Sequence, residues 1–272
     1  MLNAKALIGS HDVLLMTLDT LRYDVARACL ESGRTPNLAA VLPRGRWERR
    51  HTPGSFTLAA HQAFFAGFLP TPVDPGPHPR LFAAAFAGSE TTAETTFTFD
   101  APTLVEGLRR VGYHTACIGG VGFFNKQTAL GRVLPDLFDE SHWSAELGVT
   151  SATSTERQVA LGCAILREIP AERRSFLFVN VSALHQPNCI FAPGETVDSP
   201  RTQAAALAYV DRCLPPLFDA LRARGDTLCI VCSDHGTAYG EDGYVGHRVA
   251  HPVVWNVPYA EFVLPRGGRA AT

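Results

Sequence analysis

Three stretches of the chain are apolar at consecutive positions, with neither the alternation of a half-exposed strand nor helical spacing. They are Val13–Leu18 (V-L-L-M-T-L), Phe176–Val181 (F-L-F-V-N-V) and Leu228–Cys232 (L-C-I-V-C). Runs of this length predict strands buried on both faces, as in the middle of a parallel sheet. Weaker strand patterns follow at Trp47–His51, His114–Ile118 and Tyr259–Leu264. Helical spacing between them predicts helices at Leu21–Glu31, Pro36–Leu42, Thr57–Ala66, Thr103–Val111, Thr155–Glu168 and Thr202–Arg224. Strands alternating with helices imply an α/β fold, with a doubly wound, mostly parallel central sheet and helices on both faces. Residues 1–272 are expected to form a single domain, since a chain of this length can bury one large core. Leu69–Arg80 holds five prolines and predicts a surface loop, and the threonine-rich Ser89–Phe99 predicts a second excursion.

Two of the buried runs end in a carboxylate. Asp19 follows the first, and Ser233-Asp234-His235-Gly236 follows the third. Open α/β sheets keep their sites at the carboxyl ends of strands. A lone aspartate there reads equally well as the N-cap of the next helix. Two such aspartates, one adjoining an imidazole, point instead to a metal site at one edge of the sheet. A third element is Thr57, after the break made by Pro53 and Gly54 and at the start of an Ala- and Phe-rich helix that Gly67 stops. One reading makes Thr57 an ordinary N-cap with His61 as its helical neighbour; the other makes it a nucleophile activated by a metal or base. The helix N-terminus favours an anion in either case.

These motifs carry a family resemblance. Asp19-Thr20-Leu21-Arg22-Tyr23-Asp24 resembles the N-terminal metal motif of sulfatase-like members of the alkaline phosphatase superfamily. Thr57-Leu58-Ala59-Ala60-His61 through Gly67 resembles their nucleophile helix. Ser233-Asp234-His235-Gly236, then Gly240-Glu241-Asp242 and Gly246-His247, resembles their C-terminal metal motif, and Val257-Pro258-Tyr259 resembles the strand entry that follows. The texture of W-E-R-R-H-T-P-G-S-F and G-G-V-G-F-F-N-K is similar to a bacterial branch of sulfatase-like metal-dependent hydrolases.

Departures from the family pattern narrow the expectation. Formylglycine sulfatases carry Cys or Ser in a C/S-x-P-x-R pattern, whereas here Thr57 stands at the nucleophile position and His61 where the Arg would be. Sulfate-ester hydrolysis through a formylglycine is therefore not expected. A Thr nucleophile resembles the phosphodiesterases and the phosphoethanolamine or phosphoglycerol transferases of the superfamily, which form a covalent phospho-enzyme. Two-metal members add an Asp-x-x-x-His element, but four residues before His185 stands Val181.

The resemblance thus implies one divalent metal rather than two, held by Asp19, Thr57, Asp234 and His235. Carboxylate, alkoxide and imidazole ligands favour Zn²⁺ or Mn²⁺. His185 and His247 are expected to contact phosphate oxygens or the leaving group, and His61 to join Thr57 among the catalytic residues. A second metal on His185, His247 and Asn180 or Asp242 stays open. Arg22 and Lys126 are candidate substrate-binding residues; the alternative is a structural role for Arg22 and a solvated loop lysine for Lys126. Asp24 and His251 are expected to be structural.

Composition bounds the partners. A net charge of −2 supplies no basic field for nucleic acid, although Arg44–Arg50 is locally basic. No apolar run approaches the roughly 20 residues that span a bilayer, and the first strand comes too early for a signal peptide. Seven cysteines cannot all pair and most sit in apolar stretches. These features together give the expectation of a cytoplasmic location without a membrane partner. Cys229 and Cys232 have C-x-x-C spacing but fall on a strand and read as core.

The expected function is metal-dependent hydrolysis of a small-molecule phosphate ester through a covalent phospho-Thr57. Phosphoryl transfer or mutase chemistry at the same site is the alternative within enzymes, and a catalytically silent metal-binding partner protein the alternative outside them.

Overall fold

The computed structural model describes residues 2–67, 80–82, 96–98 and 102–267. Its centre is a seven-stranded sheet of β1 (Asp12–Leu18), β2 (Glu48–His51), β3 (His114–Ile118), β4 (Glu140–His142), β5 (Ser175–Val181), β6 (Thr227–Cys232) and β7 (Asn256–Leu264). The strand order is β2-β7-β6-β1-β5-β3-β4. β1 lies in the middle, parallel to both β5 and β6, and only β7 runs against its neighbours. All seven residues of β1 and of β5 are buried, as two-faced apolar runs require.

Alternate residues of these strands feed two cores. Leu14, Met16, Leu18, Leu177 and Val179 pack under α1 (Tyr23–Glu31), α4 (Ser154–Glu168), α5 (Pro200–Cys213) and α6 (Pro215–Arg224). Val13, Leu15, Phe176 and Phe178 pack on the other face against α2 (Thr57–Ala66) and α3 (Leu104–Arg110). Helices therefore cover both faces of the sheet. Because all strands but β7 point one way, the segments that leave β1, β2, β3, β5 and β6 emerge at one edge.

Two expectations change in detail. The helix expected over Thr202–Arg224 is two helices, because Pro215 and Pro216 lack the N–H groups that would continue the first. β4, with the sequence E-S-H, is a short polar edge strand that carries no periodic signal. The expected loops at Leu69–Arg80 and Ser89–Phe99 fall almost wholly outside the described residues; within them only the backbone pair Arg80–Phe82 with Thr96–Thr98 is seen. Cys229 and Cys232 are buried, and all seven cysteines are free.

Candidate active site

β1 and β6 lie side by side in parallel, so Asp19 and Asp234 leave the sheet at the same edge. One ligand atom from each of Asp19, Asp234 and His235 lies within 4.8 Å of the others. All three side chains are fully buried. The two loops are joined directly, because the Thr20 N–H donates to Asp234 Oδ1 at 3.2 Å. Thr20 reaches this position with φ at +61°, a conformation that a β-branched residue rarely adopts. Its hydroxyl donates to the Leu184 carbonyl and its carbonyl accepts from Gln203, which holds the strained turn in place.

Each candidate ligand has one side tied down and one left over. Asn180 Nδ2 donates to Asp19 Oδ2 at 3.0 Å, and Asp19 Oδ1 has no partner. Asp234 Oδ1 accepts the Thr20 and His235 N–H groups, and Asp234 Oδ2 has no partner. His235 Nδ1 donates to the Gly236 carbonyl at 2.9 Å, which turns the Nε2 lone pair toward the Thr57 hydroxyl. Two orphaned carboxylate oxygens and an imidazole nitrogen, each oriented by a hydrogen bond behind it, form a donor set that fits a divalent cation. Without one, burial raises the carboxyl of Asp19 to about 6, with the nearby Asp234 adding to it, and that of Asp234 to about 7. Burial likewise lowers His235, so its imidazole is held neutral.

Thr57 is the first residue of α2, and its Oγ1 lies 3.3 Å from His235 Nε2. It does not cap the helix. Phe56 occupies the N-cap position and no side chain caps the first turn, so the reading of Thr57 as an N-cap is set aside. The first N–H groups of α2 remain open toward the same region.

The histidines divide into two groups. His61 is fully buried behind Thr57: Nδ1 donates to the Thr57 carbonyl at 2.7 Å, and Nε2 pairs with the Thr17 hydroxyl at 3.0 Å. Phe64, Phe65, Phe124 and Phe178 surround its ring, and burial pushes it down to about 3. With both nitrogens used, it has none to offer a substrate. His185 and His247 instead line a cleft of 410 Å³ together with Thr57 and Arg248. The His247 ring lies 4.6 Å from that of His235 and 5.8 Å from that of His185. His185 Nδ1 donates to the Gln186 carbonyl, so Nε2 is its free nitrogen. His247 Nδ1 is buried without a partner, and burial beside His235, His185 and Arg248 lowers its pKa to about 3.

Both candidate substrate-binding cations are engaged elsewhere. Arg22 is buried, forks onto Asp24 at 2.7 and 2.9 Å, and pairs with Glu241, tying the loop after β1 to the loop after β6. Lys126 Nζ donates to the hydroxyl and carbonyl of Ser141 on β4 at 2.9 and 3.3 Å. Asp24 is taken up by Arg22, and His251 caps the short helix Pro252–Trp255 and bonds Asp242. Asn180 presents its amide N–H groups to Asp19 and Thr17, and Asp242 is exposed and bonded to His251, so neither adds a free ligand to the two cleft histidines.

Sequence reasoning missed three contributors. Thr17 and Thr52 are polar residues in apolar surroundings: Thr17 bridges Asn180 and His61, and the Thr52 hydroxyl donates to the Asp234 carbonyl. A lone hydroxyl in a buried run was the available signal for Thr17. Arg248 adjoins His247 in sequence, but its place in the cleft depends on a left-handed backbone, φ +71°, and on its N–H bond to the Ser55 carbonyl.

A family description, Sulfatase, matches residues 11–259. The chain belongs to the sulfatase family. Its fold is that of the alkaline phosphatase superfamily, as solved structures agree. The C-terminal periplasmic domain of phosphoethanolamine transferase EptC from Campylobacter jejuni superposes with a TM-score of 0.61 at 14% identity, covering 92% of this chain and 78% of that one. The soluble domain of lipooligosaccharide phosphoethanolamine transferase A from Neisseria meningitidis gives 0.63 at 17% identity, over 94% and 77%. The zinc complex of the C-terminal periplasmic domain of EcEptC from Escherichia coli gives 0.61 at 13%, over 93% and 73%. No curated protein sequence matches this sulfatase-family chain.

The expected cytoplasmic location is corrected by these comparisons, since similar folds are periplasmic domains. Unpaired cysteines that are fully buried do not argue against that compartment. Burial raises the thiols of Cys117, Cys229 and Cys232, which keeps them inert. No helix among the described residues is long and apolar enough to cross a membrane.

Proposed function

We propose that this sulfatase-family protein is a divalent-metal-dependent enzyme that cleaves a phosphoric ester through covalent attack by Thr57. The observation that carries the reading is the Thr57 hydroxyl, uncapped at the start of α2 and 3.3 Å from His235 Nε2, beside two carboxylate oxygens without partners. Asp19, Asp234, His235 and Thr57 Oγ1 would hold one ion. When bound, that ion compensates the buried negative charge and lowers the pKa of the Thr57 hydroxyl. Zinc or manganese suits carboxylate, imidazole and alkoxide donors, and the zinc complex of EcEptC supports zinc.

The chain's own residues then divide the work. Thr57 Oγ1 attacks phosphorus as its proton is taken up at the free His185 Nε2, the bond from phosphorus to the leaving oxygen breaks, and the same Nε2 hands that proton on to the leaving oxygen. Neutral His247 and the open N–H groups of α2 hydrogen-bond the phosphoryl oxygens. Asn180 fixes Asp19, and His61 fixes the first turn of α2 from behind. Water, or an alcohol acceptor, afterwards displaces Thr57 from phosphorus. The phosphoethanolamine transferases among the similar folds favour the acceptor as a second reading.

Metal content and turnover on a panel of nitrophenyl phosphate and sulfate esters test the proposal together. One equivalent of metal with turnover of phosphate esters is expected. Turnover confined to sulfate esters, or none at all with metal bound, contradicts it, and the latter result supports a silent metal-binding protein.

A further inference from the structure

The end of the sheet opposite Asp19 and Asp234 gathers arginines. Asp12 and Leu264 both pair with Thr227, and Val13 pairs with Phe176, so β1, β5 and β6 begin, and β7 ends, at one level. Ser10, Arg174 and residues 224–226 lie just before those strand starts, and Arg266 lies just after the end of β7. Together they line a cavity of 360 Å³. The seven residues of β1 set the two ends of the sheet about 20 Å apart, so a small molecule held here does not reach Thr57.

The three arginines differ in what holds them. Arg224, the last residue of α6, is fully committed. Its Nη1 donates to the Leu166 and Ile169 carbonyls at 2.7 Å, its Nη2 to the Arg173 carbonyl at 2.8 Å, and its Nε faces Asp12 Oδ2 at 3.4 Å. Asp12 is buried and also accepts the Ser175 N–H, so this ion pair is a fixed part of the cavity. Arg174 and Arg266 are different: among the described residues neither guanidinium has a hydrogen bond, and the one ion pair at the cavity is that of Arg224 with Asp12. The Arg174 head group is seated against Gly225, where an added Cβ would lie 3.2 Å from Nη1. The second carboxylate, Asp226, uses Oδ1 to accept the Arg266 backbone N–H at 2.7 Å. Positive charge is therefore in excess, and it sits on the two guanidinium groups without partners. Gathering like charges costs free energy that a bound anion offsets.

We propose that this cavity is a second anion site, separate from the reaction centre, which binds the phosphate group of a small polar molecule between Arg174 and Arg266. A carboxylate has two oxygens and is filled by one guanidinium fork. A phosphate group presents three or four and accepts both forks at once. A space of 360 Å³ lies within the range of small-molecule sites and has room for a polar remainder beyond the phosphate, with Ser10 and Asp226 as its neighbours. The site does not rest on the reaction assigned to Thr57.

The test is calorimetry on metal-loaded protein with inorganic phosphate, with 2-hydroxyethylphosphonate, whose P–C bond resists ester hydrolysis, and with acetate. Arg174→Gln and Arg266→Gln, at half-buried and exposed positions, should melt as the parent does. Each should weaken one class of phosphate or phosphonate binding by about tenfold or more, the scale of a lost hydrogen bond to a charged group. Phosphate bound at Thr57 is untouched by either change. Tighter binding of the phosphonate than of phosphate identifies an organic phosphate as the ligand, the reverse order identifies the free ion, and both uphold the site. Acetate bound as tightly as phosphate, or no phosphate or phosphonate binding that either variant weakens, overturns it. None of these measurements needs turnover, so failure here leaves the phosphoric-ester reading where it stands.

Discussion

The Thr20 N–H donates to Asp234 Oδ1 across 214 residues of chain, joining the turn after β1 to the turn after β6. That bond and the one from the His235 N–H occupy one oxygen of Asp234, so the other is left for a cation. Asp234→Asn keeps an acceptor for both donors and removes the charge. The metal-free variant should fold and melt no lower than the metal-free parent above neutral pH, while bound metal falls to background. Full metal occupancy in the variant, by elemental analysis, rejects Asp234 as a ligand.

The pH dependence of stability follows from the same burial. Asp19 and Asp234 sit at about 6 and about 7 in the folded, metal-free protein, against 3.8 ordinarily. Between those values the folded state binds more protons than the unfolded chain, so its stability falls as pH rises through about 4 to 7. Metal binds the deprotonated carboxylates and offsets that loss. The melting temperature of metal-free protein should decline over this window, and the increment on adding metal should grow. An increment independent of pH contradicts the ligand assignment.

Gly236 is a third point of control. A Cβ there would lie 1.9 Å from the Val253 carbonyl oxygen, and the Gly236 N–H already donates to Val254 at 2.6 Å. Gly236→Ala must push the Pro252–Trp255 helix away from His235. Lost metal affinity with a lowered melting temperature is expected, and an unchanged melting curve rejects the close approach.

His185 and His247 share the cleft but not the cluster of carboxylates with His235. Replacing either with Ala should lower turnover by about a hundredfold or more, the usual scale of a lost general acid or hydrogen-bond donor, at unchanged metal stoichiometry. Loss of a second equivalent of metal on either change reveals a dinuclear site.

How far the site could be read from sequence depended on how each residue is placed. Asp19, Asp234 and His235 end strands whose burial on both faces is written in consecutive apolar letters, so their meeting at one edge follows from the α/β alternation alone. Thr57 was legible as a helix start, but its role as first helical residue rather than cap depends on the extended backbone of Phe56. Arg22 and Lys126 were misleading because a sequence shows a positive charge and not its partner: Asp24 and Glu241 hold the first, and Ser141 the second. Arg248 is placed by one left-handed residue and one backbone bond, which no periodicity encodes. His61 fell on the expected helical face of Thr57, yet four phenylalanines and the Thr17 hydroxyl claim it.

The central claim is that Thr57 forms a bond to phosphorus. Metal-loaded protein is mixed with its best phosphate ester, quenched in acid within the first turnovers and mapped by peptide mass spectrometry. A phosphoryl group, with any organic group still attached to it, should appear on Thr57 of the parent and on the introduced serine of the Thr57→Ser variant. It should be absent from Thr57→Ala, whose turnover should fall by several orders of magnitude with the fold retained. Near-parental turnover by Thr57→Ala, with no phosphoryl group on Thr57 of the parent, would contradict the covalent mechanism.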